Sequence, residues 1–406
     1  MTRTMILAGL ALAAAAAAAG AKSVTKESVD KKALAASVNA FAFDLYGELR
    51  GREGNLFFSP YSVESALAMV HAGARGETAA AMAKTLHLGA DTDAVLAGFG
   101  RLNAQFNTSG KPYQLSVANA LWGLKGYTFE KPYLERVREH FGATFEPLDF
   151  QGDRAGSART INAWCDRQTR SKIREIVAAT DFDDQTRLVL TNAIYFLGTW
   201  LNTFDKARTK DEDFFAAPGR TTRAAMMHET AHWRHFDGGD LEALEMAYKG
   251  NDLAMLVLLP KQKGGLAALE ASLTAGRLAQ IGAGLKWAYV DLALPKFRME
   301  WGAGLEAPLK ALGMAVAFAP GKADLAGINA GREPLWIAFV KHKAFVRVDE
   351  EGTEAAAVTA MGVGGSAMPP KPISFRADHP FLFLIRDVQS GCILFMGRVA
   401  DPTKDR

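Results

Sequence analysis

The spacing of apolar residues changes near residue 187. Over residues 29–49 apolar positions recur at the three-and-four spacing of an amphipathic helix, and Gly51-Arg52-Glu53-Gly54 ends it. Residues 60–72 are mostly apolar, which predicts a buried helix. Ser59 stands at its N-cap, and Pro60 occupies the first helical position, where a missing N–H costs nothing. Further helices are predicted over 77–88 and 158–177. Beyond Arg187 short apolar runs take over. Residues 188–196 read as a strand buried on both faces, and 253–259, 289–294 and 334–348 follow in the same style. The last alternates, with Lys341, Lys343 and Arg347 on one face and His342, Ala344, Val346 and Val348 on the other. Residues 381–386 and 392–399, joined through Asp387-Val388-Gln389-Ser390-Gly391, predict a terminal hairpin. Helices early and strands late predict an α+β protein rather than alternating βαβ units.

At 406 residues the chain exceeds the usual single-core size, so a large or composite domain is expected. No linker or internal repeat divides it. Hydrophobic and charged contents of 49% and 22% exclude a disordered chain. Lys and Arg number 47 against 44 Asp and Glu, and no basic run stands out, so nucleic acid is not an expected partner. Arg3, the apolar residues 5–19 and Ala19-Gly20-Ala21 have the layout of a cleaved export signal. We therefore expect a signal peptide over 1–21, a mature domain over 22–406, and a secreted or periplasmic location. The apolar stretch is short for a membrane span and no later segment could cross, so no membrane partner is expected. Cys165 and Cys392 lie far apart in apolar or amphipathic runs, which reads as two buried free thiols rather than a disulfide framework.

The most unusual segment is Glu350-Glu351-Gly352-Thr353-Glu354-Ala355-Ala356-Ala357-Val358-Thr359-Ala360. It reads as a strand that lacks a sheet. Gly352 permits a backbone reversal, and the small and β-branched residues after it can enter between existing strands. In a strand, Thr353, Ala355, Ala357, Thr359, Met361 and Val363 would share one face, while Glu354 would keep its charge on the other. A Gly-Ser tract and Pro369-Pro370 close the segment. Taken alone, these residues also fit an ordinary Ala/Gly-rich surface loop.

Longer motifs carry a resemblance. Asn55-Leu56-Phe57-Phe58-Ser59-Pro60-Tyr61-Ser62 followed by Gly73-Ala74-Arg75-Gly76-Glu77-Thr78, and Thr191-Asn192-Ala193-Ile194-Tyr195-Phe196 with Gly198 and Trp200, resemble signatures of the serpin family. Phe375-Arg376-Ala377-Asp378-His379-Pro380-Phe381 is similar to its motif after the exposed loop. Gly391-Cys392-Ile393-Leu394-Phe395-Met396-Gly397-Arg398-Val399 resembles its closing strand. The similarity spans about residues 29–402. It implies an α+β serpin fold with three β-sheets, about nine helices, and a reactive-centre loop at about 350–370 above a five-stranded central sheet.

The resemblance also implies an activity without catalysis: irreversible suicide inhibition of a serine protease, held as a covalent acyl-enzyme while the cut loop enters the central sheet. Aligned on Gly352 and Pro369-Pro370, the reactive bond is expected at Ser366-Ala367, with Val363-Gly364 as a competing bond. Small flanking residues favour an elastase-like or subtilisin-like target. The loop hinge comprises Glu350, Glu351, Gly352, Thr353, Glu354, Ala355, Ala356, Ala357 and Val358. Ser59, Ser62, Asn192 and His342 match the family's shutter, and Trp200, with Glu350 nearby, matches its breach. Leu197 stands where a lysine is common, which puts a polar contact there in doubt. Taken singly, His342 on an apolar face is more often just a satisfied core histidine; the matched set favours the shutter role.

A monomer without cofactor is expected. A heparin-type activator is not, because Arg101 is the only basic residue of 92–106. The alternative within the family is a non-inhibitory carrier or chaperone-like member. A more distant one is a zinc metallopeptidase, suggested by His228-Glu229-Thr230-Ala231-His232. On a helix the two histidines would share a face. In the family register the segment is extended, which separates them by roughly 13 Å, too far for one metal ion. No phosphate-binding loop or Gly-x-Ser-x-Gly elbow is present.

Overall fold

The computed structural model describes residues 26–106, 108, 110–353 and 371–404. The expected export signal, the hinge residues Glu354, Ala355, Ala356, Ala357 and Val358, and the reactive-bond residues Ser366 and Ala367 lie outside the described residues.

Fifteen strands run through the described chain. They are β1 (Leu56–Phe58), β2 (Tyr113–Leu124), β3 (Thr144–Leu148), β4 (Leu188–Thr199), β5 (Lys210–Ala217), β6 (Arg220–Asp237), β7 (Leu241–Ala247) and β8 (Leu253–Pro260). After them come β9 (Lys286–Pro295), β10 (Phe297–Gly304), β11 (Ile337–Asp349), β12 (Gly352–Thr353), β13 (Ile373–Arg376), β14 (Phe381–Asp387) and β15 (Ile393–Val399). Ten α-helices accompany them, two of them four-residue turns. The α+β class follows directly.

The central sheet has the order β10-β11-β12-β4-β2-β3. Five of its strands are long, and β12 is a two-residue insert. The remaining strands pair in the order β1-β15-β14-β8-β7-β6-β9-β13, with β5 on β6. Two of the three expected sheets are thus hydrogen-bonded into one system. The cause is β6, whose 18 residues pair with β5 and β9 over most of their length and with β7 at the end.

Burial on both faces explains the continuous apolar run in β4. Leu188, Leu190, Ile194 and Phe196 enter the main core, while Val189, Ala193 and Tyr195 enter a second one. The second core lies under the helix Arg154–Gln168, which supplies Ala158, Ile161, Trp164 and Cys165. It also takes Phe339 and Phe345 from β11, so it straddles the β4–β11 junction. Both cysteines are buried free thiols.

The sequence pattern left several elements unmarked, and two departures from expectation have a clear local cause. The helix predicted over 158–177 stops at Gln168, because Arg170 and Ser171 take left-handed backbone conformations (φ 51° and 61°). Thr169 Oγ1 secures that turn, 2.8 Å from Cys165 O and accepting the Ile173 N–H at 3.0 Å. The sequence pattern gave no sign of β2, whose two faces are both largely buried and therefore do not alternate in polarity.

The helix Pro60–His71 starts as predicted, with Ser59 Oγ accepting the Ser62 N–H at 3.1 Å. All twelve of its residues are buried, including Glu64. The Ser37 hydroxyl lies 2.8 Å from Leu86 O and 2.9 Å from Glu64 Oε1, and it has one proton to give. Both contacts are satisfied only if Glu64 is the neutral acid, donating to Ser37 Oγ while Ser37 donates to Leu86 O. Burial, the dominant influence, pushes the Glu64 carboxyl well above its ordinary range. Stability from such a raised acid is fully present below the unfolded pKa and is lost as pH rises toward the folded one. Glu64→Gln, which keeps the donor without the acid, is expected to match the parent near pH 4. Its advantage should grow with pH by up to about 1.4 kcal/mol per unit. Melting temperatures from pH 4 to 9 measure this, and a pH-independent offset would refute the neutral acid.

Candidate functional site

The site is the seam between β11 and β4. These strands run parallel, pairing Ile337–Phe345 with Leu188–Tyr195. Beyond Phe345 they part, and β12 occupies the gap. Thr353 pairs with Val348 on β11 and Gly198 on β4, while Gly352 pairs with Asp349 and Thr199. Both pairings are antiparallel. The first residues after the hinge turn therefore already lie as a strand between the two.

Gly352 is required there. Its φ is 149°, and a Cβ would lie 2.0 Å from Gly198 O. Thr353 is fully buried, and its hydroxyl shares a 2.7 Å hydrogen bond with Tyr248. Tyr248 in turn stacks on Trp200 at 4.6 Å.

Trp200 pins the hinge from below. Its indole N–H donates to Asp349 O and its backbone N–H to Glu351 O, both at 2.9 Å. Phe204 N–H donates to Glu350 O at 2.9 Å. The Glu350 side chain is only 4% exposed and receives Thr209 Oγ1 at 2.8 Å and Lys296 Nζ at 2.8 Å. Burial opposes its charge, yet these hydrogen bonds and Lys296 hold the carboxyl below its ordinary range. Glu351 pairs with Lys206 at 2.5 Å and donates its N–H to Asp349 Oδ1 at 3.1 Å. Arg347 also binds Asp349 at 2.8 Å.

Lower in the seam, His342 and Asn192 are register partners across β11 and β4, and Asn119 of β2 pairs with Asn192 on the other side. Three polar residues thus form one row inside an apolar sheet. Asn192 Nδ2 donates to Ser62 O at 3.0 Å and contacts Ser62 Oγ and Asn119 Oδ1. Asn119 Nδ2 donates to Ser65 Oγ at 3.1 Å. Ser59 N–H donates to His342 Nε2 at 3.1 Å, and Ser59 Oγ donates to Leu394 O at 2.6 Å. Because Nε2 accepts, the ring proton is on Nδ1, which donates to Asn192 Oδ1 at 2.5 Å. A second proton would set Nε2–H against Ser59 N–H. Burial pushes the ring the same way, to a pKa of about 3.

The structure brings Ser59, Ser62, Asn192 and His342 into one network, and bonds Trp200 to Asp349 and to the hinge residue Glu351. It adds Asn119, Tyr248, Thr209 and Lys296, which the sequence reading missed. Asn119 left a trace, a lone amide between Val117 and Leu121 on the face of β2 toward the helix Pro60–His71. Tyr248, Thr209 and Lys296 left none, since only tertiary folding carries them to the hinge. Leu197 packs against the second core, where the doubtful polar contact would have stood. His228 and His232 both lie on β6, His228 2.9 Å from Glu212 and His232 against Tyr289. Among the described residues no group of three or more His, Cys, Asp or Glu could hold a metal ion.

This architecture defines a mixed-sheet scaffold with a two-residue strand lodged at the head of its central seam. The family model for serpins, serine protease inhibitors, matches residues 36–402. The chain belongs to the serpin family. It is 43% identical over 382 residues to a serpin-like protein of Thermococcus kodakarensis, covering 93% of this chain and 88% of the relative. It is 38% identical to human leukocyte elastase inhibitor, covering 91% and 99% of the two chains. Human thyroxine-binding globulin bound to its hormone superposes with a TM-score of 0.84 at 28% identity, covering 92% and 100%. The shared fold thus includes both an elastase inhibitor and a thyroxine-binding globulin.

A histidine held neutral in the fold lends stability that is present above its unfolded pKa near 6.5. That stability is lost as pH falls from there toward about 3. Stability should therefore decline below pH 6.5 by up to about 1.4 kcal/mol per unit. His342→Gln offers Oε1 to Ser59 N–H and cannot titrate, so it should flatten this decline. Denaturant midpoints between pH 7 and 4 measure it, and an equally steep decline in the variant would remove His342 as the cause.

Proposed function

We propose that this protein is an irreversible suicide inhibitor of serine proteases, exported after removal of residues 1–21 and acting as a monomer. The protease's catalytic serine attacks the Ser366 carbonyl, the Ser366–Ala367 amide breaks with release of the Ala367 amine, and the protease stays held as the acyl ester of Ser366. The released segment then extends β12 down the seam. One observation carries the reading: Gly352 and Thr353 already pair on both sides between β11 and β4.

Continuing that register supports it further. Six residues on from Thr353 is Thr359; six residues back from Gly198 and Val348 are Asn192 and His342. An inserted Thr359 would meet both at the polar row and could supply a hydroxyl where their mutual hydrogen bond is broken. Ala355 and Ala357 would arrive on the face that Thr353 now buries, and both are small enough to enter.

Energetics favour the step. Insertion replaces one parallel pairing by two antiparallel ones, and parallel pairing is the slightly weaker kind. At about 1 kcal/mol net per added hydrogen bond, a strand of some fifteen residues gives on the order of 10 kcal/mol. It also spans roughly 50 Å, so a tethered protease is carried from one end of the sheet to the other. Small residues at the reactive bond suit a shallow apolar specificity pocket, elastase-like or subtilisin-like. The similarity to leukocyte elastase inhibitor points the same way. No part of this scheme makes the protein a catalyst.

Incubation of the mature protein with elastase-, subtilisin- and trypsin-type enzymes tests the proposal on a denaturing gel. The expected result is a band of summed mass that survives boiling with the first two. Mass spectrometry of the released C-terminal peptide should begin it at Ala367. Thr353→Arg puts an unpaired charge at a fully buried position, so it should lower the melting temperature and expel β12 from the seam while converting the inhibitor to a substrate, cut to two fragments with protease activity intact. Absence of any stable complex with all three enzymes would favour the carrier reading, and full inhibition by Thr353→Arg would defeat the hinge argument.

A further inference from the structure

Among the described residues four large apolar side chains are exposed: Leu201, Trp287, Ile373 and Val388. Two of them, Trp287 and Ile373, belong to the adjacent strands β9 and β13. Trp287 is the extreme case, 69% exposed. On β9, Ala288, Val290 and Leu292 turn to the main core, which sends Trp287, Tyr289 and Asp291 to the other face. The neighbours on that face are engaged. Tyr289 lies against the His232 ring at 5.3 Å, and Asp291 accepts Thr230 Oγ1 at 2.9 Å. Arg234, the register partner of Trp287 on β6, is held by Glu245 at 2.7 Å. The Trp287 indole makes no hydrogen bond or ring contact with any described residue.

Its position is as telling as its exposure. β13 is the edge strand of its sheet and runs parallel to β9, with Ile373 beside Val290. The chain therefore comes to Ile373 from the end of β9 where Trp287 stands, three residues or about 10 Å beyond Val290. Ala367 precedes Ile373 by six residues, which keeps the Ser366-Ala367 bond within about 20 Å of Ile373. A globular protein of about 200 residues has a radius of gyration of about 16 Å, hence a body roughly 40 Å across. Such a body gripping that bond overhangs the first residues of β9.

We propose that Trp287 is a second point of attachment for the target protease, an apolar anchor that meets the protease surface beside its active-site cleft. The place of the cut bond is taken from the proposed function, but the anchor does not require that the cut loop then insert. Tryptophan suits the role because it offers a large, rigid apolar surface and is enriched among the few residues that carry binding energy at interfaces. The partner's matching feature is an apolar hollow on the rim of its cleft. Two proteases with the same shallow pocket are then told apart by the surface they turn to β9.

The test follows the loss of intact mature chain with elastase- and subtilisin-type enzymes, counted whether it ends as a boiling-resistant complex or as two fragments. Trp287→Ala should lower the second-order rate of that loss about tenfold or more with at least one enzyme, and Trp287→Phe should keep most of it. Val388→Ala removes an equally unneeded surface group beyond the far end of β14, and it should leave the rate unchanged. Melting temperatures should match throughout, and the partition between complex and fragments should be the same in Trp287→Ala as in the parent. Fragments without complex would refute the trap, while the rate comparison would still decide the anchor. A Trp287→Ala rate equal to the parent's with every enzyme that cuts the chain, an equal loss in Val388→Ala, or no cutting at all would overturn the proposal. So would a dimer of the parent, seen by sedimentation, that Trp287→Ala abolishes, since the surface would then belong to a second copy.

Discussion

The parallel pairing of β11 with β4 is the constraint on which the rest of the molecule depends. The central sheet has two parallel junctions, β11–β4 and β2–β3, and an antiparallel strand entering the first would have antiparallel neighbours on both sides; only there does the described chain already seat a short strand in the gap. The pairing ends at Phe345 and Tyr195, and β12 occupies the place where it ends. Strand order and strand direction together make a sheet that is complete yet can accept one more member.

In the proposed mechanism this seam must stay shut until the loop is cut. Apolar packing alone is non-directional and would tolerate a shifted register. The polar row formed by Asn119, Asn192 and His342 is directional, and each member is satisfied only in this alignment. Leaving a buried donor or acceptor unmade costs about 1–3 kcal/mol, so partial opening is penalised before any new strand is gained. The same reasoning accounts for the neutral imidazole. With Nε2 occupied by Ser59 N–H, His342 can offer only one proton to the seam. A charged ring would set Nε2–H against the Ser59 N–H and weaken the junction from within.

What the sequence disclosed follows from which forces are local. Capping by Ser59 and Pro60, the two-faced burial of β4, the alternation of β11 and the terminal hairpin rest on neighbouring residues, and all were legible. Resemblance to serpins brought Ser59, Ser62, Asn192, His342 and Trp200 forward together, although more than a hundred residues separate some of them. Residues whose role is set only by tertiary approach were hidden, Tyr248 under Thr353 and Lys296 beside Glu350, and Asn119 left only a faint trace in a strand with no polarity pattern. The early end of the helix Arg154–Gln168 was hidden for a different reason. Left-handed backbone at Arg170 and Ser171 is unusual for residues other than glycine, and no turn signal marks it.

The second core sets the other side of the balance. Val189, Ala193 and Tyr195 contribute from β4, and Phe339 and Phe345 from β11, all beneath the helix Arg154–Gln168. Parting the two strands pulls this cluster in opposite directions. Opening core contacts without refilling the space costs several kcal/mol for large side chains. Lys341 and Lys343 also hold the segment after the helix down on β11. In the proposed mechanism the barrier to insertion therefore lies in the covering layer and the polar row, not in the incoming residues, which are small. A barrier so placed makes the uncut form kinetically stable. The end at which it must first yield is the one where Thr353 already sits.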